Sequence, residues 1–218
     1  MGTGPVPFGA AAGPAKSERR QSALGVSAAR FLSIGLLLIL ALGPGTADAV
    51  TLAPIEGAPT QRYQAWADRA KVPTVSAAVQ FYLRSDPSCP GGRTSCAGNV
   101  PLRIFLGDHD RWTLYHELGH IFDYVVMGSG AGGDPFATTS WRQRFLAIRG
   151  DSGGWRQGVN PPHEHFAQAY MFCAMDPRKL PRGPRKGFIW QYGYAGTTDR
   201  QHRRSCRLIY RAWQAGGG

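Results

Sequence analysis

Two histidines four residues apart, His116 and His120, enclose a glutamate, Glu117. On an α-helix, residues four apart differ by about 400°, so both imidazoles lie on one face about one turn apart. Rings so placed reach a single zinc ion at roughly 2.0–2.1 Å. Glu117 follows His116 by about 100°, which sets its carboxylate beside the metal and over the open coordination position. Zinc lowers the pKa of a coordinated water to around 7, and an adjacent carboxylate takes that proton and passes it to a leaving amine. These are the requirements of peptide-bond hydrolysis by metal-activated water.

A catalytic zinc has three protein ligands and one open position. The downstream run His163-Glu164-His165-Phe166-Ala167-Gln168-Ala169-Tyr170 offers three ligand-type residues in a row. Helical neighbours differ by about 100°, so they cannot all face one ion. Glu164 is the preferred ligand: with Asn160 as the N-cap it falls one place past the capping-box position, so capping does not account for it. His163 and His165 remain the alternatives and would give a three-histidine site.

Positioning these side chains requires at least two helices. Asp110 is a suitable N-cap for a helix over 111–127, with Leu114, Leu118, Ile121 and Val125 as its apolar positions. Gly119 costs that helix up to about 1 kcal/mol relative to Ala, a cost that a close-packed metal site explains. Asn160-Pro161-Pro162 announces the second helix, to about Ala174, with Pro161 at its first position. Helical spacing also covers 60–71, 140–148 and 199–214, while Val75–Arg84 and Val100–Leu106 alternate as strands. Residues 50–59 read as a Pro-containing leader to the domain. The expected fold class is α+β, a small sheet with helices packed on it.

The order of residues 1–49 is that of a secretory signal peptide: Arg19, Arg20 and Arg30, an apolar run from Phe31 to Leu42, then Ala47-Asp48-Ala49. The apolar run rises only about 18 Å as a helix, too short to span a hydrocarbon core of about 30 Å. Cleavage after Ala49 leaves 50–218 as one secreted domain with no membrane span. All four cysteines lie in that part, an even number suited to two disulfides. Cys89 and Cys96 bracket a short Pro- and Gly-rich loop, and Cys173 with Cys206 would pin the C-terminal segment.

The net charge is +11, and ten basic residues lie between Arg178 and Arg211 against one acid, Asp199. Such a segment suits a solvated surface or an anionic cell-wall polymer as partner. No aromatic-basic motif accompanies it, which argues against specific nucleic-acid binding. The expected partner of the site is a protein or peptide substrate, met by a monomer. Two further functions fit the residues: a non-catalytic zinc module that holds a polymer, and a zinc hydrolase of cell-wall peptides.

His116–Asp123, read H-E-L-G-H-I-F-D, together with Glu164–Tyr170, read E-H-F-A-Q-A-Y, resembles the gluzincin-type metallopeptidases, in particular the peptidase domain of the anthrax lethal factor group and related bacterial secreted proteins. The likeness covers two helices. It implies a zincin-like fold, zinc held by His116, His120 and Glu164, Glu117 as general base, and a substrate strand added along a sheet edge, with Val100–Leu106 the candidate. It implies that Asp123 accepts the free ring N–H of a ligand histidine. The group also uses a tyrosine that precedes the glutamate ligand, and this chain has none between Tyr124 and Glu164; Tyr192, Tyr194 or His202 are the substitutes. His109 reads as a surface-loop residue, and Trp112, Trp141, Trp155 and Trp190 as core or cleft-wall residues.

Overall fold

Four short strands make one sheet in the order β1-β2-β4-β3: β1 (Thr51–Pro54), β2 (Ala78–Tyr82), β3 (Ser95–Asn99) and β4 (Leu102–Leu106). The computed structural model describes residues 49–128, 134–157, 161–180 and 196–216, so the expected signal peptide, Asn160, Trp190, Tyr192 and Tyr194 lie outside the described residues. β1, β2 and β4 run parallel, and β3 pairs antiparallel with β4, Ala97 opposite Ile104. Alternation sends Val79 and Phe81 of β2, and Ile104 and Leu106 of β4, into the core.

β1 was not foreseen in the leader 50–59. It has four residues, of which only Leu52 is buried, and it ends on a proline. Its position is fixed by β2 on one side and by a side chain on the other: Gln64 accepts from the Leu52 N–H at 2.9 Å and donates to the Val50 carbonyl at 2.8 Å. Val100 and Pro101 do not extend β4 but form the turn that joins it to β3. The strand expected at the sheet edge is therefore interior, hydrogen-bonded to both β2 and β3, and the edge strands are β1 and β3.

Among the described residues there are five α-helices: α1 (Gln61–Ala67), α2 (Arg111–Phe122), α3 (Ser140–Arg149), α4 (Pro162–Met175) and α5 (Asp199–Gly216). α1 stops at Ala67, short of the expected Lys71: the Arg69 and Ala70 N–H groups bond three residues back to Trp66 and Ala67, and the Lys71 N–H bonds the Ala174 carbonyl near the end of α4. α2 is capped as its sequence predicts, with Asp110 Oδ1 accepting from the Trp112 and Thr113 N–H groups at 2.7 and 3.1 Å. Its last turn, Asp123–Met127, widens to π-type hydrogen bonding. α2 packs on β3 and β4 with one face and on α4 with another, and α5 contacts both α4 and α3. Every residue of α4 from Pro162 to Ala174 is buried, which makes it the central element of the helical layer. The fold is α+β. Cys89–Cys96 and Cys173–Cys206 are both disulfide-bonded, the pairing expected from their spacing. No helix among the described residues is long and apolar enough to cross a membrane; with the two disulfides this is compatible with an exported protein.

Candidate metal centre

The site is built where α2 and α4 cross closely. A Cβ placed on Gly119 would lie 2.8 Å from Ala167 Cα and 3.0 Å from both Ala167 O and Tyr170 Cβ. Only glycine on α2 and a small residue on α4 permit that approach. Beside the crossing, His116 and His120 of α2, one turn apart from each other, bring their ring centroids to 4.9 Å. From α4, Glu164 Oε2 reaches His116 Nε2 at 3.1 Å and His120 Nε2 at 3.4 Å. The three side chains can each offer one ligand atom, all within 4.8 Å of one another, and all three residues are buried.

Of the three neighbours in the run His163-Glu164-His165, the structure thus sets Glu164 with the two histidines. His165 turns away and its Nδ1 meets Asp151 Oδ2 at 3.1 Å. His163 stands beside the cluster, with Nδ1 3.3 Å from the Trp155 carbonyl and Nε2 3.4 Å from Glu164 Oε1. The local reason for Glu164 differs from the one its sequence suggests. α4 begins one residue later than expected, with Pro161 in the N-cap position and Pro162 first in the helix. Glu164 is then third in the helix, where a glutamate normally closes a capping box by accepting the cap residue's N–H. Pro161 has no N–H to give. The carboxylate is released for the histidines and for Arg93, whose Nη1 donates to Oε1 at 2.5 Å.

The electrostatics follow from this packing. Burial alone would raise Glu164, but the charge of His120 and hydrogen bonds from His116, His120 and His163 outweigh it and hold the carboxyl far below its usual range. Burial lowers His116, yet the Glu164 hydrogen bond and the charges of Glu117 and Glu164 leave it above its ordinary value. His120 is pushed down to about 4, by burial first. Glu117 is buried and raised to about 7, chiefly by desolvation. Its Oε2 has no hydrogen-bond partner among the described residues, nor has His120 Nδ1. An orphaned buried carboxylate oxygen beside two imidazoles and a second carboxylate fits a divalent cation in both charge and donor set.

Gln168, one turn past Glu164 on the same face of α4, places its Oε1 3.1 Å from His116 Nδ1. That contact fixes the ring so that Nε2 faces the cluster. The spacing of Gln168 from Glu164 was the signal that could have found it. Asp123 does not serve a ligand histidine as expected. Its Oδ1 accepts from Arg142 Nε at 2.9 Å, and Oδ2 accepts from Arg142 Nη2 at 3.2 Å and Trp155 Nε1 at 3.0 Å. A buried guanidinium brought in by α3 offers it a two-point ion pair, and no single ring N–H competes with that. Arg142 also donates to the Ala137 and Asp134 carbonyls, tying the chain before α3 to this end of α2.

A cleft of about 450 Å³ opens beside the cluster, lined by Glu117, His120, Glu164, Arg93, Tyr124 and Arg156 among others. Cys96 and Ala97 of β3 form part of its wall. Tyr124 stacks on His120, ring centroids 6.4 Å apart. His202 is not a substitute for a tyrosine here: its Nε2 donates to the Asp176 carbonyl at 2.8 Å beyond the C-terminal end of α4, about 18 Å along the helix axis from Glu164. His109 is exposed in the loop before α2, and Trp155 is a core residue, as expected. A second group, Cys173, His202 and Cys206, is also close enough for a metal, but its two sulfurs are bonded to each other. Compared with protein-family models, with curated proteins and with solved structures, the chain matches none.

Proposed function

We propose that the protein is an exported zinc peptidase of gluzincin type, in which His116, His120 and Glu164 hold the metal and Glu117 is the general base. The observation that carries the reading is the convergence of two imidazole nitrogens and one carboxylate oxygen within 4.8 Å, next to the orphaned carboxylate oxygen of buried Glu117. A purely structural zinc site has no use for that second carboxylate. The four-stranded sheet with its antiparallel edge, and an active-site helix crossed by a second ligand-bearing helix, support a zincin-like arrangement.

A bound zinc ion would supply Lewis acidity, acidifying a water and polarising the substrate carbonyl. The chain's own residues supply the rest. Glu117 takes the proton of the attacking water as the new C–O bond forms, and returns it to the amine nitrogen as the C–N bond breaks. Tyr124 accepts a hydrogen bond from Arg156 Nη2 at 3.1 Å, which leaves its own proton to donate to an oxygen in the cleft. Gln168 keeps His116 in a single ring orientation. An extended peptide lies along the edge of β3 away from β4, which pairs with no other strand among the described residues.

The test combines metal content with turnover. Folded protein should carry one zinc per chain by elemental analysis, cleave peptides from a random library, and stop when a chelator is added. Glu117→Gln should keep the zinc and lose at least about a hundredfold in turnover. Full activity in that variant would exclude this mechanism.

A second reading is favoured by a different observation. Arg144 of α3 and Arg204, Arg207 and Arg211 of α5 line a groove of about 350 Å³ floored by Ile148 and Leu208. Positions 204, 207 and 211 share one helix face. That groove suits the phosphates of an anionic cell-wall polymer, with or without catalysis at the metal site. Salt-sensitive retention on immobilised polyglycerol phosphate, lost in the Arg204→Glu, Arg207→Glu double variant, tests it.

A further inference from the structure

Arg156 sits in the wall of the same cleft as Glu117 and His120, and its surroundings suit a ligand better than they suit the fold. Its guanidinium is held by three contacts. Nη2 donates to the Tyr124 hydroxyl at 3.1 Å, the Cζ lies 5.6 Å from the Tyr124 ring centroid, and it lies 5.7 Å from that of Phe136. Phe136 is itself exposed. None of these partners is an acid, and no carboxylate among the described residues pairs with Arg156. A structural arginine of this protein looks different: Arg142 is fully buried, forked onto Asp123 and bonded to two carbonyls. Arg156 is a cation whose side-chain entropy is already restricted by aromatic stacking while much of its donor fork stays available.

The rest of the cleft has the same bias. Arg93 lines it too, against Glu164 Oε1. The carboxylates in the lining are Glu117 and Glu164; Glu164 is grouped with the two histidines and paired with Arg93, and Glu117 is buried. With a divalent cation bound, the cleft carries an excess of positive charge, so a substrate cation meets repulsion and a substrate anion meets a waiting partner.

We propose that Arg156 selects substrates bearing a carboxylate close to the scissile bond, by forming a two-point ion pair with it across the cleft. The cleavage side of this assignment rests on the peptidase reading above, whereas the binding side does not. The carboxylate has two sources, an Asp or Glu side chain within the peptide or the free C-terminus of a short one, and both present the same planar pair of oxygens to the guanidinium.

Two measurements test it. In the first, zinc-loaded Glu117→Gln protein is titrated with blocked tripeptides that carry Glu, Gln or Lys at the centre, and with the Gln peptide bearing a free C-terminus. The Glu peptide or the free acid should bind about tenfold to a hundredfold more tightly than blocked Gln, the worth of a charge-assisted hydrogen-bonded pair. Adding Arg156→Gln should remove most of that advantage, read as the ratio of Glu-peptide or free-acid affinity to blocked-Gln affinity within the same variant. An advantage for the Glu peptide identifies the side chain as the source, and one for the free acid the terminus. A carboxylate that simply ligated the zinc would keep its advantage in the Arg156→Gln background, and that result overturns the proposal. Equal binding of Glu, Gln and Lys peptides overturns it as well.

In the second measurement, wild-type protein is given quenched fluorescent peptides with the same single-site changes. Cleavage of Gln and Lys peptides as fast as Glu and free-acid peptides removes the proposal and leaves the peptidase reading intact. Selective binding through Arg156 with no cleavage of any peptide does the reverse.

Discussion

Gly119→Ala adds one methyl group at the crossing of α2 and α4, and its effect can be worked out from the contacts. The new carbon would start 2.8 Å from Ala167 Cα, where carbon atoms normally settle at about 3.5–4.0 Å. Ala167 presents backbone at this point, and Tyr170 is fully buried, so neither can swing aside. The helices must separate by about 0.7 Å to restore contact distance. Overpacking of this kind costs about 1–3 kcal/mol, and the better helix propensity of alanine returns up to about 1 kcal/mol. The net loss is about 1–2 kcal/mol, or about 2–8 °C in melting temperature for a domain of this size. The metal site should suffer more than the fold. His116 and His120 ride on one helix and Glu164 on the other, and metal–ligand distances tolerate only about 0.2 Å. Zinc affinity should therefore fall at least about tenfold, since every 1.4 kcal/mol of lost ligand energy is a factor of ten. Thermal melts with graded zinc, run beside Gly153→Ala, would read both effects; nothing lies within 4 Å of the Gly153 Cβ direction, so that control should be neutral. A Gly119→Ala protein that melts at or above the wild-type temperature and binds zinc equally well would refute the close crossing and the site built on it.

The other expectations are more local. Gln168→Ala should weaken zinc binding about tenfold to a hundredfold while the fold persists, because His116 loses the partner of its Nδ1; competition with a fluorescent chelator measures it. Asp123→Asn leaves the buried Arg142 without its counter-charge and should cost about 3–5 kcal/mol in denaturant unfolding, with zinc stoichiometry of the folded protein unchanged. Burial holds the pKa of His202 below its ordinary value. The unfolded chain then takes up the proton first, so His202 supports stability fully above about pH 6.5 and that support is lost as pH falls below it. His202→Gln should flatten the acid limb of a stability–pH curve by up to about 1.4 kcal/mol per pH unit, and an unchanged slope would contradict this.

The parts of the site carried by one helix at a time were readable in the sequence. The facing of His116 and His120 is a property of helical phase, and the Asp110 cap is a contact over two to three residues. Phase says only that His163, Glu164 and His165 cannot all face one ion. The sequence favours Glu164 because an N-cap at Asn160 puts it past the capping-box position, whereas the true helix start puts it at that position and Pro161 has no N–H to engage it. Contacts between elements were not readable. Asp123 looked equally suited to a histidine, and only the placement of α3 decides that Arg142 takes it. β3 runs Ser-Cys-Ala-Gly-Asn, with no β-branched or aromatic residue to announce a strand, and exists because β4 pairs with it. β1 is similarly short and owes its place to β2 and to Gln64. Arg93 and Arg156 lie in loops, where spacing says nothing about which cleft they enter.

The two disulfides brace different parts of the fold around the site. Cys89–Cys96 closes the loop that bears Arg93 and leads into β3, while Cys173–Cys206 staples the far end of α4, the helix whose first turn bears Glu164, to α5. One wall and one ligand-bearing rod thus gain their covalent bracing only where thiols oxidise. A freshly made chain in a reducing compartment would have both histidines in register on α2 but neither brace in place, so the compartment that oxidises the thiols also finishes the tool.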